Sequence, residues 1–136
     1  MSFLLDTNIV SELRKPECNP GVFDWYESVR REQLYLSVLL LGEIQQGINR
    51  LHLRNDPDQA RIFETWLHTV RTTYRARVLE IDSEIAERWG DISHLRTLPV
   101  VDGLMAATAN VHRLTLVTRN TAHFTDTGTR LLNPFT

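Results

Sequence analysis

Short apolar runs of strand length alternate along this chain with longer segments whose apolar residues recur every three or four positions. This alternation constrains the fold more than any other feature of the sequence. The runs predict β-strands at residues 3–5, 34–36, 78–81, 114–118 and 131–132, with helices between them. Consecutive strands that are joined through helices of ten or more residues are usually parallel. The pattern therefore predicts an α/β fold, with a parallel sheet covered by helices on both faces.

The helical segments carry their own start signals and apolar stripes. Pro20 begins a helix that we predict over residues 20–32. Apolar spacing predicts that Ile62 and Ala86 are buried on the inner faces of two later helices. The stretch 104–111 is apolar on nearly all sides, so it is predicted to be the most buried helix.

The size and composition of the chain fit one domain spanning residues 1–136. It has 136 residues, of which 42% are hydrophobic and 24% charged, and we find no repeat, low-complexity tract or linker in it. A chain of this length can bury about two thirds of the surface that its unfolded form exposes. Its apolar runs are shorter than the roughly 18 residues that cross a bilayer, and they do not resemble a secretory signal. The lone Cys18 fits a reducing compartment. We expect a cytoplasmic protein with no membrane segment.

The basic residues are unusual in kind rather than in number. Fifteen lysines and arginines against seventeen acidic residues give a formal net charge of -2, and all fifteen except Lys15 are arginine. Arginine presents a planar fork of donors that matches phosphate and carboxylate groups. An arginine patch for nucleic acid or for an acidic partner fits these counts, and so does a merely arginine-rich composition.

Four polar residues fall where predicted strands end or where the following helices begin: Asp6, Glu43, Asp102 and Asn120. In an open α/β sheet, ligands bind beyond the carboxyl ends of the strands. Carboxylates that meet there repel each other unless a hard cation neutralises them. Oxygen ligands without cysteine or histidine select Mg²⁺ or Mn²⁺, which leave positions open for water and phosphate oxygens. The pattern therefore indicates phosphoryl-transfer or nuclease chemistry.

Each of these four residues also has a purely structural interpretation. Asp6 and Asp102 stand where a helix N-cap is expected, Glu43 fits a solvated helix position, and Asn120 fits a turn. The functional interpretation gains its force from all four residues reaching one edge of one sheet.

Two glycines flank Glu43 in its predicted helix, at Gly42 and Gly47. Each glycine costs a helix about 1 kcal/mol relative to alanine. That cost indicates a use for the space that the missing side chains leave beside the carboxylate.

Five short motifs follow one another along the chain: Leu5-Asp6-Thr7-Asn8 with Ser11-Glu12, Glu43-Ile44-Gln45-Gln46-Gly47, Asp102-Gly103-Leu104-Met105-Ala106-Ala107-Thr108-Ala109, Val117-Thr118-Arg119-Asn120, and Leu132-Asn133-Pro134-Phe135. Together they resemble the PIN-domain ribonucleases of the VapC toxin type, including the FitB-like branch. The resemblance covers essentially the whole chain, in the family's order and spacing.

The resemblance implies a single PIN-like α/β domain, with a parallel sheet of about five strands flanked by helices. It also implies a homodimer that cleaves RNA with Mg²⁺ or Mn²⁺, and a cognate antitoxin protein that blocks the site and alone reaches operator DNA. Asp6, Glu43 and Asp102 fall on the family's three acidic positions, which hold the metal. Asn120 stands at a fourth catalytic position that is often Asp, so a charge is lost there and an oxygen is kept.

Residues beside the acids are expected to complete the site. Thr7 and Thr118 match polar residues that accompany the family's acids, and with Asn8 they are expected to orient ligands or phosphate. Affinity for RNA is expected to come from arginines that lie near the acids in sequence: Arg14, Arg50 and Arg119.

Two functions stand as alternatives to an endoribonuclease toxin. One is a catalytically weak PIN-like binding module that acts with its antitoxin on operator DNA, and a metal titration separates it from the enzyme. The other is a Mg²⁺-dependent phosphatase of the haloacid dehalogenase type, which requires a second Asp where this chain has Asn8. The five histidines share no ligand spacing, Cys18 has no evident base beside it, and no glycine-rich phosphate loop precedes a lysine.

Overall fold

Five short strands form one parallel sheet. The structure, a computed structural model, describes residues 1–94 and 97–136. The strands are β1 (Phe3–Leu5), β2 (Leu34–Ser37), β3 (Val78–Leu79), β4 (Thr115–Val117) and β5 (Leu131–Leu132). Their order across the sheet is β3-β2-β1-β4-β5, and every neighbouring pair is parallel. The predicted parallel α/β sheet is confirmed, and the carboxyl ends of all five strands lie along one edge.

Six α-helices lie among the described residues: α1 (Thr7–Arg14), α2 (Pro20–Ser28), α3 (Val38–Leu53), α4 (Pro57–Thr73), α5 (Ser83–Ser93) and α6 (Val100–His112). The first five begin after a residue whose side chain accepts a hydrogen bond from a backbone N–H of the first turn: Asp6, Asn19, Ser37, Asp56 and Asp82. None of the six combines the length and apolar character that a membrane span requires.

Helix α2 is shorter than predicted, since it ends at Ser28 rather than at residue 32. Val29 is extended, and the guanidinium of Arg31 donates hydrogen bonds to the carbonyl oxygens of Tyr26 and Val29. These bonds satisfy carbonyls that a continuing helix would otherwise use. The chain therefore leaves the helix and makes a separate 3-10 turn at Arg31–Gln33.

A layer of helices packs on each face of the sheet. Phe3 and Leu5 of β1 point into a core shared with α1, α2, α3 and α4, whereas Leu4 points into a core shared with α5 and α6. This alternation is the period-two geometry of a strand. Helix α6 contributes six buried residues, more than any other described helix, which confirms the prediction for stretch 104–111.

Two apolar residues that were predicted to be buried are exposed. The exposed fraction of Ile62 is 52%, because it lies about 200° around α4 from the buried Ala60. Ala86 is exposed because α5 packs through a narrow stripe that contains Ile85 and Ile92. In both cases the apolar spacing predicted the helix correctly. The buried face that it predicted is wider than the one observed.

Candidate active site

Asp6 joins the ends of two neighbouring strands. It follows β1 directly, and its Oδ1 accepts a 2.7 Å hydrogen bond from the backbone N–H of Thr7, which caps α1. Its Oδ2 accepts a 2.7 Å hydrogen bond from the hydroxyl of Thr118, the residue after β4. Asp6 is therefore the helix cap that one interpretation predicted, and it also belongs to the polar group at the sheet edge.

Glu43 reaches the same edge from the second turn of α3. Its Oε1 accepts a 2.5 Å hydrogen bond from the hydroxyl of Thr7. Burial raises the pKa of the Glu43 carboxyl; the Thr7 hydrogen bond lowers it, and the charges of Asp6 and Asp102 raise it again. The solvated interpretation of Glu43 is wrong, because half-burial and two neighbouring carboxylates define its surroundings.

Asp102 approaches from the first turn of α6, and it is not the helix cap. Helix α6 begins at Val100 after Pro99, so Asp102 is the third helical residue. Burial raises the pKa of the Asp102 carboxyl and the charge of Asp6 adds to this, whereas His123 lowers it. The predicted N-cap role is wrong because Pro99 is the N-cap, so the helix starts three residues earlier than it would after Asp102.

The structure therefore brings three carboxylates from three separate elements into mutual electrostatic range. Among the described residues, however, no three His, Cys, Asp or Glu side chains stand close enough to enclose one metal ion. Mg²⁺ is commonly held by one or two carboxylates and keeps several waters, so it does not require a closed cage of protein ligands. Hard oxygen donors that repel one another fit a divalent cation.

A hydrogen-bonded network ties the segment after β4 to α1. Thr118 is fully buried, donates to Asp6, and accepts from the backbone N–H of Asn120 at 3.1 Å. The amide nitrogen of Asn8 lies 3.4 Å from both the Thr118 hydroxyl and Asp6 Oδ2. Its amide oxygen accepts from the backbone N–H of Arg119 at 3.2 Å. The predicted supporting residues Thr7, Asn8 and Thr118 therefore all contact the acids.

Asn120 and Arg119 enter this network through their backbone. Asn120 is exposed, and within the described part of the chain its side chain makes no hydrogen bond to an acid. The guanidinium of Arg119 lies 4.7 Å from the centre of the Phe135 ring. These contacts hold the loop in place without bringing either side chain to the carboxylates.

The other sequence-predicted cations are also engaged or distant. The guanidinium of Arg14 lies 4.9 Å from the ring centre of Phe63 and 5.2 Å from that of Trp66. Arg50 is exposed in the last turn of α3, about two helical turns beyond Glu43. Proximity in sequence to an acid did not translate into proximity in space.

Glu12 of the first motif has a structural task. Its Oε2 accepts a 2.8 Å hydrogen bond from the backbone N–H of Asn19, and its Oε1 lies 3.1 Å from Lys15 Nζ. The Asn19 hydrogen bond, followed by Lys15, lowers the pKa of the Glu12 carboxyl. Glu12 thus anchors the loop between α1 and α2.

His123 is the residue of this edge that the sequence did not indicate. Its Nδ1 lies 3.8 Å from Asp102 Oδ2, and its side chain is 60% exposed. The 3-10 turn at Thr121–Phe124 carries it there from the segment that follows β4. A search of the sequence for the spacing of metal ligands cannot find His123, because its neighbour Asp102 lies in a different motif.

The two glycines beside Glu43 border open space. A Cβ built on Gly42 or Gly47 meets no atom within 4 Å. Packing inside the domain therefore does not require either glycine, and the space beside α3 is accessible from outside.

The sequence matches one protein family and several individual proteins along nearly its full length. Residues 3–129 match the family described as PIN domain. The chain is 31% identical over 137 residues to Toxin FitB of Neisseria gonorrhoeae, a match that covers 97% of both chains. It is 30% identical over 138 residues to VapC ribonuclease Y4jK of Sinorhizobium fredii, covering 97% of this chain and 96% of the relative.

Solved structures extend the similarity to three dimensions. The crystal structure of FitAcB from Neisseria gonorrhoeae matches with a TM-score of 0.85 and 30% identity over 97% of each chain. A toxin-antitoxin complex from Klebsiella pneumoniae matches with a TM-score of 0.70 and 26% identity over 98% of each chain. The predicted PIN-like architecture is confirmed by these matches together with the observed sheet.

Proposed function

This chain belongs to the PIN-domain family, and from that membership we propose that it is an endoribonuclease toxin of a toxin–antitoxin pair. It cleaves RNA phosphodiester bonds at a site that uses a divalent metal ion, Mg²⁺ or Mn²⁺. The similarity to a VapC ribonuclease and to Toxin FitB over nearly the whole chain supports the reaction class.

One observation carries the proposal: the carboxylates of Asp6, Glu43 and Asp102, which come from the end of β1, from α3 and from α6, meet at the carboxyl edge of the sheet. Burial raises the pKa of both Glu43 and Asp102; the charges of Asp6 and Asp102 raise that of Glu43 further, and the charge of Asp6 raises that of Asp102 further. A fold gains no stability from such an arrangement in the absence of a cation. The capping interpretation accounts for Asp6 alone, because neither of the other two acids caps a helix.

Asp6, Glu43 and Asp102 are the residues that would hold the ion. When bound, the ion supplies activation of water and neutralisation of charge on the scissile phosphate. The protein's own contribution is orientation: Thr118 fixes one oxygen of Asp6, and Thr7 fixes one oxygen of Glu43. Asn120 belongs to the proposed catalytic set by its position after β4; its uncharged amide makes no hydrogen bond to the described acids and would act only by turning toward them.

The test is cleavage of RNA by the pure protein. We expect Mg²⁺ or Mn²⁺ to support cleavage, excess chelator to abolish it and Zn²⁺ to substitute poorly, because the donors are hard oxygens. Glu43→Gln is expected to slow cleavage at least about a hundredfold. Glu64→Gln, which makes the same change on the exposed side of α4, is the matched control. Full cleavage in chelator would overturn the mechanism, and metal binding without cleavage of any RNA would favour the binding-module alternative.

The proposed partners follow from the same family. We infer a cognate antitoxin protein that covers the acidic edge, since a similar protein was solved as a toxin-antitoxin complex. Operator DNA is contacted only through that antitoxin, and the toxin is a homodimer. The free thiol of Cys18 and an RNA substrate are consistent with a cytoplasmic location.

A further inference from the structure

Arginines collect at the edge of the sheet opposite the carboxylates. Six of them lie in the segments just before strands β2 to β5: Arg30, Arg31, Arg75, Arg77, Arg113 and Arg130. Since all strands are parallel, these segments share the amino edge. Some of these side chains are engaged within the fold: Arg31 pairs with Glu27 at 2.7 Å, and Arg77 donates to backbone carbonyls.

Arg113 has a backbone conformation that arginine seldom adopts. It follows the last residue of α6 with φ 56° and ψ 40°, in the left-handed region. The N–H of Leu114 bonds to the carbonyl of Ala109 at 2.8 Å, which closes the helix end in the usual way. Glycine or asparagine normally occupies this position, because a longer side chain is strained there. The backbone of the helix end therefore does not require an arginine.

Arg130 is aligned beside Arg113. Its Nη2 donates a 2.7 Å hydrogen bond to the carbonyl oxygen of Arg113. Both arginines are exposed, and within the described residues neither guanidinium has a carboxylate partner. Two cations that line one cavity without a carboxylate partner favour the binding of an anion.

Two adjoining cavities open at this place. One, of about 320 Å³, is lined by Arg113 and Arg130 with Asn110 and Thr129. The other, of about 280 Å³, shares Arg113 and adds His112. The side chains of Asn110 and Thr129 already bond to each other at 2.8 Å, and Nη2 of Arg130 donates to the Arg113 carbonyl. The other guanidinium N–H groups are the donors that remain for a ligand. Each guanidinium can present parallel N–H groups to two oxygens of a phosphate.

We propose that Arg113 and Arg130 form a phosphate-binding subsite for the RNA backbone, at the sheet edge opposite the carboxylates. The choice of RNA as ligand rests on the proposed function. A protein of net charge -2 that cleaves RNA beside three acids needs cations elsewhere to hold the polyanion. Asp102 and Arg113 lie at opposite ends of α6, about 16 Å apart along the helix axis, so the folded body of one RNA can contact both edges. The subsite would therefore favour folded RNA over short fragments.

The test is RNA binding in chelator, where cleavage cannot contribute. The probe is a folded RNA of several tens of nucleotides, and Kd is measured over a series of salt concentrations. Arg113→Asn removes the guanidinium and suits the left-handed backbone, so the melting temperature is expected to hold or rise. Arg130→Gln tests the second arginine. Arg61→Gln, which removes one exposed charge from α4, is the matched control.

Both subsite variants are expected to raise Kd about threefold to tenfold and to lower the slope of log K against log salt by about 0.7 to 0.9. Unchanged Kd and slope in Arg113→Asn would overturn the inference, and so would an equal loss in Arg61→Gln, which would indicate a net-charge effect. A loss confined to duplex DNA would overturn RNA as the ligand. Failure of the proposed function is separate, because it appears as absent cleavage in Mg²⁺ whether or not the variants lose binding.

Discussion

The hydroxyl of Thr7 donates a 2.5 Å hydrogen bond to Oε1 of Glu43, 36 positions further along the chain. This bond joins the first residue of α1 to α3 and lowers the pKa of a carboxyl that burial and two neighbouring acids raise. Thr7 therefore favours the ionised form of Glu43, which is the form that can hold a cation.

Replacing Thr7 by valine is expected to raise the pKa of Glu43 further, because the shape is kept and the hydrogen bond is lost. Metal binding requires an ionised carboxylate, so the acidic limb of the rate–pH profile should move to higher pH. A hydrogen bond to a charged group is worth about 1.5–3 kcal/mol, so the cleavage rate on the acidic limb should fall about tenfold or more. Thr7→Ser keeps the hydroxyl and serves as the control. An unmoved acidic limb in Thr7→Val would show that this bond does not govern Glu43.

Asp102→Asn is expected to lower the cleavage activity without lowering the stability of the fold. Burial and the charge of Asp6 raise the pKa of Asp102, so the folded protein holds this proton more tightly than the unfolded chain does. Ionisation of this group therefore costs stability as the pH rises from about 4 through the raised pKa. Without metal at neutral pH, we expect Asp102→Asn to leave the free energy of unfolding unchanged or to raise it by about 0.5–2 kcal/mol.

The same substitution should slow RNA cleavage at least about a hundredfold, because one electrostatic contact to the cation is lost. Thermal melts in chelator and cleavage rates in Mg²⁺ measure the two effects. A variant that is destabilised and fully active would give Asp102 a structural role instead.

Two glycines form a matched pair for substitution by alanine. At Gly42 the added Cβ meets open space, so Gly42→Ala should stabilise α3 by about 1 kcal/mol. At Gly21 the Cβ would overlap the backbone oxygen of Pro134 and lie 2.5 Å from Thr136 Cγ2, so Gly21→Ala should destabilise the fold by about 1–3 kcal/mol. Denaturant unfolding measures both. A loss of cleavage in the stable Gly42→Ala would show that RNA uses this space, and equal stability of the two variants would contradict the packing argument.

The cognate antitoxin is expected to place an Arg or Lys against Asp6, Glu43 and Asp102. A guanidinium bonds carboxylates through two parallel hydrogen bonds and would replace the metal as counter-charge. The antitoxin segment that carries it is expected to be disordered alone and to fold on binding. A structure of the complex checks this, and an inhibited complex whose acidic edge stays empty would contradict it.

Much of the fold could be predicted from neighbouring residues. Strand positions, the side chains that begin the first five helices, and the burial of α6 depend on periodicity and on contacts within a few residues. The end of α2 was placed too late because the Arg31 side chain, rather than a helix-breaking residue, satisfies its last carbonyls. The buried faces of α4 and α5 were predicted to be too wide, because only part of the apolar stripe on each helix packs against the rest of the protein.

The candidate site was predictable as a set of residues and not as a set of contacts. Acids at strand ends must lie along one edge once the strands are parallel, so sequence order was sufficient to group Asp6, Glu43 and Asp102. Which side chains meet depends on the packing of segments more than 20 positions apart. Thr7 turns toward Glu43, and His123 reaches Asp102, whereas the Asn120 amide and the predicted arginines turn elsewhere. The direction of each side chain is set by the helix or turn that carries it. The contacts that it makes also depend on how distant elements pack against that helix or turn, and this cannot be predicted from neighbouring residues in the sequence.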